Sequence, residues 1–137
     1  HLAAEKIIKN IDNIIKGEAK FIEQDHSEAT YAEKISKKEG KIIWNNRAKK
    51  IIGKINGLHP TPGAYFIFKG ERYKILKAEI GNGSGQPGEV LSDNLEIACT
   101  KNESIKVVEI QKEGKKVQEI NEFLNGSKIQ KGCTLNE

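Results

Sequence analysis

The sequence predicts a mainly β fold, a small barrel flanked by helices, preceded by a further helix and a polar linker. Two observations carry this. After Pro60, Pro62 and Gly63 the apolar period changes from that of a helix to two. Short strand candidates then follow one another at 64–68, 72–80, 88–91, 95–100 and 104–110, separated by glycine, asparagine and aspartate. Helices remain only at the ends, an order that fits a small β-barrel better than an open α/β sheet.

Residues 2–16 read as a helix. Ile7, Ile8, Ile11, Ile14 and Ile15 recur at helical spacing, and Gly17 ends the segment. A short extended piece, 20–24, follows. The polar stretch DHSEATYAEKISKKEG, 25–40, reads as a linker with one helical turn after Thr30. In the next helix Ala48, Ile51, Ile52 and Ile55 fall at i, i+3, i+4 and i+7 and form one buried stripe, with Arg47, Lys50 and Lys54 on a neighbouring one. Asn45 or Asn46 is placed to cap its start, and Asn56-Gly57 to stop it before Pro60. Lys69-Gly70-Glu71 is a hairpin signal between the first two strands. Val117, Ile120, Phe123 and Leu124 predict a last helix ending at Gly126, and the tail GSKIQKGCTLNE reads as loose.

The 137 residues suit one domain with an extra piece, and no apolar run approaches the ~20 residues of a membrane span. The start, HLAAEKII, lacks the apolar core of a secretory signal, and the chain contains no methionine. It reads as part of a longer, cytoplasmic protein. Cys99 and Cys133 are too few for a disulfide framework and are expected reduced. Without a secretory signal, the glycosylation patterns at Asn82, Asn102 and Asn125 are read as chance. GNGSG, 81–85, lacks the Gly-Lys-Ser/Thr end and following helix of a phosphate loop, so it reads as a strand-to-strand connection. His1, His26 and His59 show no metal-ligand spacing, and no catalytic constellation is legible.

The strongest functional signal is the distribution of charge. The net charge is only +4, but residues 41–80 hold nine basic side chains against Glu71 and Glu79. Residues 1–40 are net −1 and residues 81–137 net −2. Lys41, Arg47, Lys49, Lys50 and Lys54, with Arg72, Lys74 and Lys77 on the adjoining hairpin, are candidates for one positive face toward nucleic-acid phosphates. Tyr65, Phe66 and Tyr73 are interleaved with them and suited to stacking on bases. The same residues also read as core aromatics under solubilising lysines, and composition leaves both readings open.

Two blocks weigh toward the first. QDHSEATYAEKISKKEGKIIW (24–44) and INGLHPTPGAYFIFKGERYKILKA (55–78) resemble the methionyl-tRNA formyltransferase family, from the end of its catalytic domain through its C-terminal domain. The first matches the pattern Q-D-x-S-x-A-T-Y-A-x-K-I-x-K-x-E, from Gln24 to Glu39, with Trp44 as the following aromatic. The second carries the P-x-P-G-A step as Pro60, Pro62, Gly63 and Ala64, and Gln86-Pro87-Gly88-Glu89-Val90 matches a later strand start.

The resemblance implies that 1–24 ends a Rossmann-like formyltransferase domain, that 25–40 is the interdomain linker, and that 41–137 is an OB-like domain that helps hold initiator methionyl-tRNA. It also implies an enzyme whose formyl donor is 10-formyltetrahydrofolate. The catalytic asparagine, histidine and aspartate and the folate pocket would belong to the preceding domain, so this chain alone is expected to be inactive and to bind no cofactor. Its expected partners are the tRNA, the catalytic domain and, through the helix at 2–16, a second copy. Asn56 and Thr61 depart from the arginine and tryptophan common in the family. The alternative is a purely structural domain of another folate-dependent formyltransferase, with no nucleic-acid role.

Overall fold

The computed structural model describes residues 1–135. The chain divides into two compact units, residues 1–33 and the part from Lys34 onward. The first contains helix α1, Leu2–Ile15, none of whose residues is buried. Gly17, at φ +74°, ends it, its N–H bonded to the Ile14 carbonyl at 3.2 Å. A 3₁₀ turn follows at His26–Glu28, capped by Asp25, which accepts from the Ser27 N–H at 2.8 Å.

In the second unit a 3₁₀ turn at Lys37–Gly40 is closed by Glu39, which accepts from the Ser36 N–H at 2.6 Å. The turns thus lie at 26–28 and 37–40, not directly after Thr30, because Asp25 and Glu39 supply the closing acceptors. Helix α2, Ala48–Leu58, buries Ala48, Ile51 and Ile55 as its spacing requires. Neither Asn45 nor Asn46 caps it. The Asn46 amide donates to the Ile43 carbonyl at 3.0 Å, and the Ala48 N–H is met by Glu103 Oε2 at 2.8 Å. The helix also runs through Asn56-Gly57. It stops at His59, which is extended, as the residue before a proline is biased to be.

Strands β1, Ala64–Phe68, and β2, Glu71–Ile80, form the expected hairpin. Lys69 and Gly70 both have positive φ, the pair of conformations whose twist suits a two-residue hairpin turn. β2 then pairs with β4, Ser104–Lys112. The other edge of β4 takes β3, Glu96–Ala98, along one half and β5, Val117–Glu119, along the other. All pairs are antiparallel, and the order is β1-β2-β4-β3 with β5 beside β4. The mainly β class with flanking helices holds, but the sheet does not close into a barrel. Single bridges, Lys41 to Tyr65 and Val90 to Ile97, sit on its outer edges in place of strands. The expected strand at 88–91 is reduced to such bridges, and Val117 belongs to β5, so the last helix, α3, is only Ile120–Leu124.

Register shifts flank Lys77 in the β2–β4 pair, one extra residue on β2 at Leu76 and one on β4 at Val108. Each strand changes parity there. Tyr73 and Ile75 are buried before the irregularity and Ala78 after it; on β4 the buried positions pass from Ile110 to Val107 and Ile105.

The tail is not loose. Ile129 and Leu135 are buried, the Leu135 N–H bonds the Gly88 carbonyl at 2.8 Å, and Trp44 Nε1 donates to the Leu135 carbonyl at 2.9 Å. Trp44 begins a run of ring contacts through Phe66 and Tyr73 to Phe123, with centroids 6.0, 5.4 and 5.7 Å apart. The tail therefore covers one end of this aromatic core. Leu135→Ala is expected to cost about 2–5 kcal/mol in urea unfolding; a loss below about 0.5 kcal/mol would be that of an ordinary surface position.

Candidate nucleic-acid interface

The hairpin cations owe their common face to the paired irregularity. Arg72 and Lys74 alternate outward against buried Tyr73 and Ile75, and the extra residue at Leu76 returns Lys77 to the exposed set. The Lys74 stem crosses Gly63, where a Cβ would sit 3.0 Å from its Cδ. Gly63 has φ +83° and donates its N–H to the Leu58 carbonyl at 2.9 Å. Glycine at this step therefore both turns the chain out of α2 and leaves room for the lysine.

Arg72 and Lys74 line an open groove of about 800 Å³ together with Lys34, Lys37, Thr61 and Gln111. Thr61, one of the two departures from the family pattern, is thus part of its wall. Of the α2 lysines, Lys54 lines a different groove, together with Lys38 and Lys41 of the preceding segment and with Ile43 and Gly57. Ile35 lines both grooves, so the segment from Lys34 to Lys41 runs between Lys54 of α2 and the hairpin cations Arg72 and Lys74. That segment is pinned to the edge of β1 by the Ile42 N–H, 2.7 Å from the Tyr65 carbonyl.

Two of the expected cations are already engaged by other groups of the chain at the surface. The Arg47 guanidinium donates to Glu103 Oε1, from Nε at 2.8 Å and from a second nitrogen. The Arg47 bonds, and then the Ala48 N–H, hold the Glu103 carboxyl below the usual carboxylate range. Lys54 Nζ donates to the carbonyls of Glu39 at 2.7 Å and Lys41 at 3.0 Å. Among the described residues, the salt bridges are Arg47–Glu103 and Lys112–Glu71, so Lys41, Lys49, Lys50, Arg72, Lys74 and Lys77 carry charges that no carboxylate pairs.

The interleaved aromatics divide. Phe66 and Tyr73 are core. The Tyr73 hydroxyl, donating to Glu71 at 2.7 Å, is pushed up to about 12, chiefly by burial. Tyr65 is half-buried on the outer face, beneath Arg72.

Block-wise charge counting missed Lys34, Lys37 and Lys38, because acidic neighbours in 1–40 cancel them. It also missed Lys115 and Lys116, which line a groove of about 540 Å³ beside β5. The usable signal was local lysine density in KISKKEG and in the KEGKK turn.

GNGSG binds an anion supplied by the chain itself. Glu96 Oε1 accepts from the Asn82 N–H at 2.8 Å, the Gly83 N–H at 2.7 Å and the Ser104 hydroxyl at 2.7 Å. A Cβ at Gly81 would collide with this carboxylate and with the Ser104 hydroxyl. Burial alone would raise the Glu96 pKa, but the Ser104, Gly83 and Asn82 bonds together hold it below the ordinary range.

Residues 34–128 match the family model described as formyl transferase, C-terminal domain. This chain belongs to the formyl transferase C-terminal domain family. The methionyl-tRNA formyltransferase of Pelagibacter ubique (strain HTCC1062) is 63% identical over 134 residues, 98% of this chain and 43% of that protein. That of Rickettsia massiliae (strain Mtu5) is 45% identical over 132 residues, 95% of this chain and 42% of that protein. The chain thus spans less than half the length of these curated relatives. Among solved structures, HypX from Aquifex aeolicus in complex with tetrahydrofolic acid superposes with a TM-score of 0.65 at 17% identity, over 94% of this chain and 24% of that one. That likeness establishes the fold. The formyl transferase domain here places its unpaired cations on the hairpin, on α2 and on the segment that precedes α2.

A lowered carboxylate stabilises the fold above its unfolded pKa, and that contribution is lost as pH falls through the folded value. Glu96→Gln is therefore expected to lower the Tm near about pH 7 and to flatten its decline toward about pH 3. Parallel acid limbs for the two proteins would exclude this role for Glu96.

Proposed function

We propose that this chain is the tRNA-holding C-terminal part of a methionyl-tRNA formyltransferase. Its parent would transfer a formyl group from 10-formyltetrahydrofolate to the amino group of initiator methionyl-tRNA. Two long matches at 63% and 45% identity to enzymes of that name support the reading. The observation that carries the tRNA role is the groove in which Lys34, Lys37, Arg72 and Lys74 converge against a single acidic side chain, Glu113.

In this reading, residues 1–24 finish the catalytic domain, 25–40 link the two domains and 41–137 hold the RNA. The isoleucine face of α1 belongs against the rest of the catalytic domain, or against a second copy. The formyl donor belongs to the preceding domain as well. The grooves here are lined by lysines, aliphatics and scattered polar groups, and no step of formyl transfer is assigned to them. The work of this part is positional. Sequence-independent phosphate contacts by Lys41, Lys49, Lys50, Arg72, Lys74 and Lys77 orient the acceptor end toward the catalytic domain. Arg47 and Lys54 shape the platform that presents them.

Titration of the chain with initiator tRNA at several salt concentrations tests this. Lys74→Ala and Lys77→Ala should each weaken binding modestly and reduce the salt slope by about one. Arg47→Ala should chiefly lower the Tm. Salt slopes unchanged across the lysine variants, or no binding at low salt, would leave the domain a structural scaffold.

A further inference from the structure

The Arg72 side chain has an unusual setting for a phosphate-binding arginine. Its guanidinium carbon lies 3.7 Å from the centroid of the Tyr65 ring, the spacing of stacked planes. The two are diagonal neighbours on the outer face of the hairpin, since Tyr65 pairs with Lys74 and Arg72 with Ile67. Tyr65 is itself backed by the main chain at Gly40, where an added Cβ would lie 3.2 Å from the ring. Arg72 Nε is shielded from solvent and makes no hydrogen bond, so the ring and not a carboxylate sets the plane of the guanidinium. Arg72 also lines the groove that holds Lys34, Lys37, Lys74 and Gln111.

We propose that this groove is a subsite for one unpaired nucleotide of the bound RNA, an assignment that rests on the RNA-holding reading above. The base stacks on the face of the Arg72 guanidinium turned away from Tyr65, giving a layered stack of ring, guanidinium and base. The flanking phosphates meet the ammonium groups of Lys34, Lys37 and Lys74. Gln111 also lines the groove; its amide nitrogen donates to the Lys115 carbonyl at 2.8 Å, which leaves its side-chain oxygen available as an acceptor. A volume of about 800 Å³ is that of a small-ligand site. Stacking also needs an exposed base face, which a duplex keeps inside its own stack. The site therefore selects a single-stranded or loop nucleotide, whereas the free lysines elsewhere accept any phosphate backbone.

Arg72→Lys separates the two kinds of contact, because it keeps the charge and removes the plane. The probes are a short single-stranded oligoadenylate and a blunt RNA duplex with the same number of phosphates, each titrated against the 137-residue chain. The expected result is a fall of about fivefold to a hundredfold in oligoadenylate affinity with the salt slope retained, and no change for the duplex. Tyr65→Phe, which keeps the ring, should behave like the unsubstituted chain on both probes. Matched thermal unfolding of the variants removes misfolding as an explanation. Unchanged oligoadenylate binding by Arg72→Lys, or equal losses on both probes, would overturn the nucleotide subsite and leave the phosphate-binding face standing. Failure of the unsubstituted chain to bind either probe at low salt would overturn both.

Discussion

One extra residue on each of two paired strands governs the arrangement of this domain. In a strand of strict alternation, burying Tyr73 and Ile75 would turn Lys77 inward and Ala78 outward. The shifts that flank Lys77 reverse this, so Ala78 enters the core and Lys77 returns to solvent. A buried, unpaired ammonium is costly, and the irregularity removes that cost while β2 and β4 stay paired on either side. The core and the cationic face of the hairpin are therefore two consequences of one local distortion.

The basic residues divide into those that build the platform and those left free. Arg47 and Glu103 join the start of α2 to the start of β4, and the same carboxylate supplies the cap that local sequence does not. Lys54 ties α2 to the carbonyls of Glu39 and Lys41. The Lys54 bonds hold the segment leading to the aromatic core at Trp44 against α2, at Glu39 and Lys41. A stretch with the composition of a linker lines one wall of the groove that holds Arg72 and Lys74. Its lysines are positioned by the main chain, which costs less conformational entropy than holding long side chains in a flexible segment.

The glycine-rich loop and the tail show a related economy. Close approach of the GNGSG backbone to Glu96 satisfies N–H groups that would otherwise face an empty turn, and it uses an internal carboxylate in the place of a bound phosphate. The tail lays Leu135 against the aromatic core and gives Trp44 the acceptor that a buried indole N–H needs. Both devices close the sheet's periphery without a further strand. This is why five strands suffice here in an open sheet, without closure of the barrel.

What the sequence by itself determined was local in origin. The isoleucine spacing of α1, the buried stripe of α2, the positive-φ pair at Lys69-Gly70 and the turn at Gly63 each depend on residues a few positions apart. The excess of charge in 41–80 and the blocks that mark the family were legible for the same reason. The tertiary structure decided the rest, because each remaining feature joins distant residues. Glu103 caps a helix 55 positions before it, and Trp44 meets Leu135 across 91. The parity change in β2 has no mark in composition, since it is set by how β4 pairs beside it. Whether an arginine is a surface strut between two elements, as Arg47 is, or a plane held over a ring, as Arg72 is, depends on which carboxylate or aromatic the fold brings within reach.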